Sequence, residues 1–203
     1  MVTALDERVL QAAREIAAAV PDPELPMVTV ADLGILRDVA AEDGRLVVTI
    51  TPTYSGCPAL REIAHDMRHR LSRAGFGDVT VRIALAPAWS SDWITAAGRR
   101  KLHAAGIAPP HPAPKGPVPL TLGAIPSRGT TPGAPGPSRG TTPGAPGPSR
   151  GTTPGAPGRR EPVPCPRCGS RDTTQTAAFS ATACKALFRC EACREPFEYV
   201  KEI

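Results

Sequence analysis

The chain has 203 residues, a formal net charge of +5, 25 prolines and six cysteines. It is long enough for two small domains, has no apolar run able to span a bilayer as a helix, and carries Asp6, Glu7, Arg8, Arg14 and Glu15 where a secretory leader would be apolar. These features exclude a membrane-spanning helix and lead us to expect a cytoplasmic protein, whose cysteines serve as metal ligands or catalytic thiols rather than disulfides.

Thr3-Ala4-Leu5-Asp6 resembles a capping box with Asp in place of Glu, and Leu5, Val9, Ala12, Ala13, Ile16 and Val20 follow as one apolar stripe, so a first amphipathic helix is expected. Pro21, Pro23 and Pro26 end it and hold the next stretch extended, fixing Asp22 and Glu24 in a rigid loop. On composition alone these carboxylates cap turns. Gly34 permits a bend into a strand over 35–40, Asp43-Gly44 is a hairpin turn, and 45–51 returns as a second strand.

The stretch Thr51-Pro52-Thr53-Tyr54-Ser55-Gly56-Cys57-Pro58 lies between that strand and a helical pattern from Ala59 to about Ala74. Cys57 is therefore placed in a strand-to-helix turn, where unpaired N–H groups and the helix dipole favour a thiolate. The alternative is a buried cysteine acting as a small hydrophobe. His65 and His69 are one turn apart, a spacing that can bind metal, but they lie off the apolar stripe with no cysteine near in sequence. A third strand is expected over 79–85. A helix then runs to about Leu102, capped by Ser91 or Asp92, with Trp89 and Trp93 read as core.

Between Pro109 and Pro164 lie 17 of the 25 prolines, and the unit PSRGTTPGAPG occurs three times in succession from Pro126 to Gly158. This composition supplies no apolar face, so a disordered spacer is expected, spanning about 40 Å as a flexible coil. The two folded parts are expected to move independently, with function insensitive to the repeat number. The segment from His111 to Arg160 has six basic residues and no acid, leaving 18 basic against 19 acidic residues elsewhere. The positive charge thus belongs to the spacer and speaks against a nucleic-acid partner, which requires clustered charge on a folded face.

Cys165-Pro166-Arg167-Cys168 and Cys190-Glu191-Ala192-Cys193 are two CxxC knuckles, a four-cysteine zinc pattern. About 40 residues supply too little core alone, so a structural zinc is expected, with a rubredoxin-like iron or an iron–sulfur cluster as alternatives. Cys184 is left over and is read as a packed thiol. Strands are expected over 185–189 and 197–200, and Arg167, Arg171, Lys185, Arg189 and Arg194 as an exposed basic surface. The expected fold class is α+β: a small αββαβα domain over 1–108, a disordered Pro/Gly linker over 109–161 and a small β zinc ribbon over 162–203.

Together DPELPMVTVADLGILRDV, TPTYSGCPA, PAWSSDWITAAGRRKLHAAGIAPP and SATACKALFRCEACREPFEYVKEI resemble the PaaD family of phenylacetyl-CoA epoxidase components. The N-terminal half is similar to SufT-like metal–sulfur cluster assembly factors. Only the repeat segment departs from the resemblance. It implies an accessory, non-enzymatic component of aerobic phenylacetate degradation, in which Cys57, Asp22 and Glu24 hold iron or a cluster edge transiently. One cysteine cannot ligate a cluster, so a homodimer or a client would contribute the rest. The clients implied are the iron–sulfur and flavin reductase subunit and the di-iron oxygenase subunit of the complex. A direct electron-transfer component and a nucleic-acid-binding zinc ribbon are the competing readings. Acyl transfer by Cys57 would need a base, and none of the four histidines stands in a recognisable partnership with it.

Overall fold

A computed structural model describes residues 6–113 and 161–202. The repeat segment, its expected disorder and Thr3 of the expected capping box lie outside the described residues. The element order begins α1 (Glu7–Ala18), β1 (Leu36–Glu42), β2 (Arg45–Ile50), α2 (Leu60–Arg73), β3 (Val79–Ile83) and α3 (Ala96–Ala104). It continues with β4 (Thr173–Ala177), β5 (Lys185–Cys190) and β6 (Pro196–Val200). The class is α+β, and the N-terminal order is αββαβα as expected. Among the described residues no helix is long and apolar enough to cross a membrane.

In the N-terminal part β2 is the central strand, antiparallel to β1 and parallel to β3. Asp43 and Gly44 both have positive φ (48° and 75°), as a tight hairpin with right-handed strand twist requires. α2 provides the crossover between β2 and the parallel β3, and ends where Gly75 takes φ 92°. α1 packs on β1, α2 on β3, and the two helices touch. Ala13, Ala17, Ile63, Met67 and Leu71 thus share one core with Val39, Leu46, Val48 and Ile50.

The expected helix over 91–102 is interrupted. Ser91–Trp93 forms a 3-10 turn, and α3 starts only after Thr95, whose hydroxyl accepts from the Gly98 N–H at 2.9 Å. The interruption lets Trp93 cross Gly34, where a Cβ would come within 2.5 Å of the Trp93 Cβ. Only glycine fits there, and its φ of 68° gives a second reason. Trp89 is core, its indole donating to the Leu33 carbonyl at 2.9 Å.

The C-terminal part is a three-stranded antiparallel sheet in the order β4-β5-β6. β4, rich in threonine, was not anticipated; its Thr173, Thr174 and Thr176 are the β-branched signal that marks it. The described parts of residues 6–113 and 161–202 form one compact unit, which corrects the expectation of independent motion. The reason is backbone pairing. Ala108 N–H donates to the Glu198 carbonyl (2.8 Å), Val200 N–H returns a bond to Ala108 (3.0 Å), and Val200 enters the N-terminal core.

Candidate metal centres

Cys165 and Cys168 come from the turn before β4, Cys190 ends β5, and Cys193 lies in the turn before β6. The four Sγ atoms all lie within 4.8 Å of one another. Cys165 and Cys193 are 3.7 Å apart and Cys168 and Cys190 3.6 Å. A metal–sulfur bond of ~2.3 Å in a tetrahedron requires sulfurs about 3.8 Å apart, which two of the pairs already match, so this donor set suits a four-thiolate metal with the wider pairs drawing in by no more than about 1 Å. Among the described residues no other group of three or more His, Cys, Asp or Glu side chains converges this closely, and His65 and His69 stand exposed on α2.

Four thiols at this spacing cannot all ionise without a cation. Hydrogen bonding from the Cys193 N–H, which outweighs burial, holds the Cys190 thiol down at about 7. Cys193 accepts from the Glu195 N–H, yet burial and its sulfur neighbours push it up to about 12. Metal loading therefore displaces protons.

The second candidate comprises Asp22, Glu24 and Cys57 of the N-terminal part, with Lys185 at the start of β5 within electrostatic reach of the two carboxylates. Asp22 is buried, and its Oδ1 accepts from the N–H groups of Glu24 (2.8 Å) and Leu25 (2.9 Å). The loop after α1 is thereby fixed, as its prolines predict. Burial nevertheless raises the Asp22 carboxyl, the two N–H bonds and the Lys185 charge only partly offsetting it. Glu24 is raised by burial and then by Asp22. Cys57 is half-buried in the turn before α2, its N–H donating to the Tyr54 carbonyl at 3.2 Å.

The Cys57 thiol departs from the expected thiolate. Burial pushes it up; the Ala59 N–H pulls down, but Glu24, Asp22 and Cys184 push up again. The helix N-terminus is outweighed by two facing carboxylates and the loss of water. We expect Glu24→Gln to lower the thiol pKa and to speed alkylation of Cys57 by iodoacetamide at neutral pH roughly two- to three-fold, read by peptide mapping. An unchanged rate would remove Glu24 from the causes of the shift.

Sequence reasoning missed what β5 brings to this centre. Lys185, expected on an exposed basic surface, is buried with its side chain only 6% exposed, 2.9 Å from Glu198 Oε2. Two of its expected companions are also paired, Arg167 with Glu195 and Arg194 with Glu191. Ser180 Oγ donates to the other oxygen of Glu198. The sequence signal for Lys185 is weak: one lysine at the start of an apolar strand, beside a cysteine outside the knuckles.

The family model described as iron-sulfur cluster assembly protein matches residues 10–88, and that described as PaaD zinc beta ribbon domain matches residues 149–201. A protein of Escherichia coli (strain K12), named for its place as a component of 1,2-phenylacetyl-CoA epoxidase, is 36% identical over 193 residues, covering 92% of this chain and 88% of its own. The chain belongs to the PaaD family of phenylacetyl-CoA epoxidase components. A Porphyromonas gingivalis (strain ATCC BAA-308 / W83) protein named Fe-S protein maturation auxiliary factor is 37% identical over 76 residues, 36% of this chain and 71% of its own. Among solved structures, a domain of unknown function DUF59 from Bacillus anthracis is 29% identical, covering 47% of this chain and 92% of that one at a TM-score of 0.44.

Proposed function

We propose that this protein is an accessory, non-catalytic component of the phenylacetyl-CoA epoxidase system in aerobic phenylacetate degradation, acting in the cytoplasm to mature an iron centre. Cys57, assisted by Asp22 and Glu24, takes iron or the edge of an iron–sulfur cluster as cargo. It hands the cargo to a client, either the iron–sulfur and flavin reductase subunit or the di-iron oxygenase subunit. Cys165, Cys168, Cys190 and Cys193 hold a structural zinc that keeps the ribbon folded.

The observation that carries this reading is that Cys57, Asp22 and Glu24 all hold their protons above the ordinary range, each raised first by burial, with Asp22 then raising Glu24, and both carboxylates then raising Cys57. Such a centre is short of positive charge, and a soft or borderline cation relieves the repulsion while taking both sulfur and oxygen donors. Membership of the PaaD family and the assembly-factor match over residues 10–88 support the direction of the cargo.

The test is anaerobic purification of wild type and Cys57→Ser, with elemental analysis for zinc, iron and sulfide and an absorption spectrum. One zinc per chain in both proteins, and iron that reconstitutes only in the wild type, is the expected result. Stoichiometric iron that survives Cys57→Ser would place iron on the ribbon cysteines and favour direct electron transfer instead.

A further inference from the structure

Among the described residues three strands border a sheet with no further strand beyond them: β1, β3 and β4. β6 has its outer side closed by the pairing with Ala108. The three borders differ in protection. β1 and β4 are each interrupted by a shift of register, at Leu36/Asp38 and at Gln175/Ala177, and β1 also carries Asp38 and Glu42. β3 has no such interruption, its register against β2 being regular from Val79 to Ile83. Its apolar side chains run out into solvent at Ile83 and Leu85, 49% and 59% exposed. Irregularity and charge are how sheets keep a border strand from pairing, and a border without them accepts another strand.

The backbone shows which groups are on offer. Ala84 N–H donates to the Ile50 carbonyl (2.9 Å), which sets the phase of the β2–β3 ladder. Thr80, Arg82 and Ala84 therefore turn their N–H and C=O toward β2, while Val79, Val81 and Ile83 turn theirs outward. The side chains of those three share one face of the strand, which joins the core through Val79 and Val81. On the opposite face Arg82 is held by Glu42 in two bonds, at 2.8 and 2.5 Å, so its charge is already met within the chain.

We propose that β3 pairs with β3 of a second copy of this chain, antiparallel about a two-fold axis at Val81, giving a weak homodimer with one continuous sheet. Val81 then faces Val81, Val79 faces Ile83 and Thr80 faces Arg82 of the second copy, and outward N–H groups meet outward carbonyls. Charge and strand length select this register. Asp78, held by Arg45 only at 3.6 Å, becomes the diagonal neighbour of Arg82 of the second copy, once on each side of the axis. An axis at Arg82 would set two like charges face to face. An axis at Thr80 would set Ile83 against Gly77, which lies outside the strand with φ 63°. A slip of one residue would match outward groups with inward ones. Strands this short bury less than the roughly 1,200 Å² of a stable complex, so the dimer dissociates on dilution. The pairing does not depend on the role of Cys57, but it bears on it. Antiparallel strands send the two Cys57 turns, each following β2, to opposite ends of the joined sheet. The second copy therefore supplies no sulfur to Cys57, and the missing ligands come from a client.

The test uses the full chain, zinc-loaded and kept reduced so that no disulfide joins two copies. Sedimentation equilibrium over roughly 10 µM to 1 mM, the span of weak affinities, is paired with residue-resolved amide hydrogen exchange. The mass is expected to rise toward that of two chains, with the Val81 and Ile83 amides gaining about threefold or more in protection as it does. Ile83→Pro removes one outward N–H and leaves the β2–β3 bonds in place, and Ile83→Lys puts a charge on the paired face. Each is expected to keep the protection of 46–50 and to weaken association about tenfold or more; should Ile83→Pro disturb the strand, Ile83→Lys carries the same test. A mass of one chain throughout, or wild-type association in the folded variants, would overturn the proposal. A dimer whose Val81 and Ile83 amides exchange freely would overturn it by placing the interface elsewhere. Protection of those amides at every concentration would overturn it by showing the border covered within one chain.

Discussion

Withdrawing the metal from Cys165, Cys168, Cys190 and Cys193 with a strong chelator is expected to unfold β4, β5 and β6 while the N-terminal sheet stays folded. The ribbon's core is Val163, Cys165, Cys190, Phe197 and Tyr199 with Ala108 and the edge of Phe188, so two of its buried residues are themselves ligands. A core of this size contributes only a few kcal/mol, about 3–5 at most. Four-thiolate zinc binding contributes on the order of 10 kcal/mol or more at neutral pH. The balance therefore turns on the metal. By contrast, the N-terminal core draws on α1, α2 and all three strands, and loses only Val200. Amide hydrogen exchange provides the check: protection should vanish over 185–190 and 196–200 and persist over 46–50 and 60–73. Protection of β5 in the chelated protein would show that packing alone holds the ribbon.

Lys185→Met is expected to destabilise the metal-loaded protein by about 2–4 kcal/mol. Removing one partner of a buried ion pair leaves the other charge without compensation, which costs about 3–5 kcal/mol for full burial. Glu198 keeps 27% of its side chain exposed, which moves the expectation toward the lower end. Asp22 and Glu24 lose their offsetting charge as well. The sign with pH follows from the groups involved. Burial works against ionisation of Glu198, but its bonds from Lys185 and Ser180 hold its carboxyl below the usual range. That contribution is complete above the ordinary carboxylate pKa and is lost as the pH falls through the lower folded value. Asp22 and Glu24 are raised, so their effect runs the other way and protonation relieves them. The cost of Lys185→Met should thus shrink as the pH is lowered through the carboxylate range. Denaturant unfolding at neutral and acidic pH measures it, and pairing with Glu198→Gln should recover part of the loss. A cost that does not change with pH would contradict the assignment to charge.

Local chemistry explains which features were legible in the sequence. The Asp43-Gly44 hairpin, the end of α2 at Gly75 and the paired CxxC knuckles each follow from residues whose backbone or ligand preferences act over a few positions. The prolines around Asp22 likewise predict a fixed loop. What was not legible depends on distant partners. The interruption before α3 follows from Trp93 crossing Gly34, and Lys185 is buried with its charge met by Glu198 on β6, a partner 13 positions away. Cys57 shows the limit most clearly. Its place before α2 follows from the local pattern, but its proton affinity is raised first by burial and then by Glu24, Asp22 and Cys184, which no local pattern connects to it. The same holds for Ala108, whose pairing with Glu198 and Val200 joins the two folded parts.

That pairing also brings together the two ends of the segment between them. His111 Nδ1 lies 3.7 Å from Glu161 Oε2, so the intervening stretch leaves and re-enters the same unit at one place. Its two anchor points therefore belong to a single body instead of two. In the flexible-chain limit the entropy of closing such a loop grows only with the logarithm of its length, and one 11-residue repeat more or less changes it by about 0.2 kcal/mol. On that scale, gain or loss of one repeat is nearly invisible to the folding of the unit that holds both anchor points.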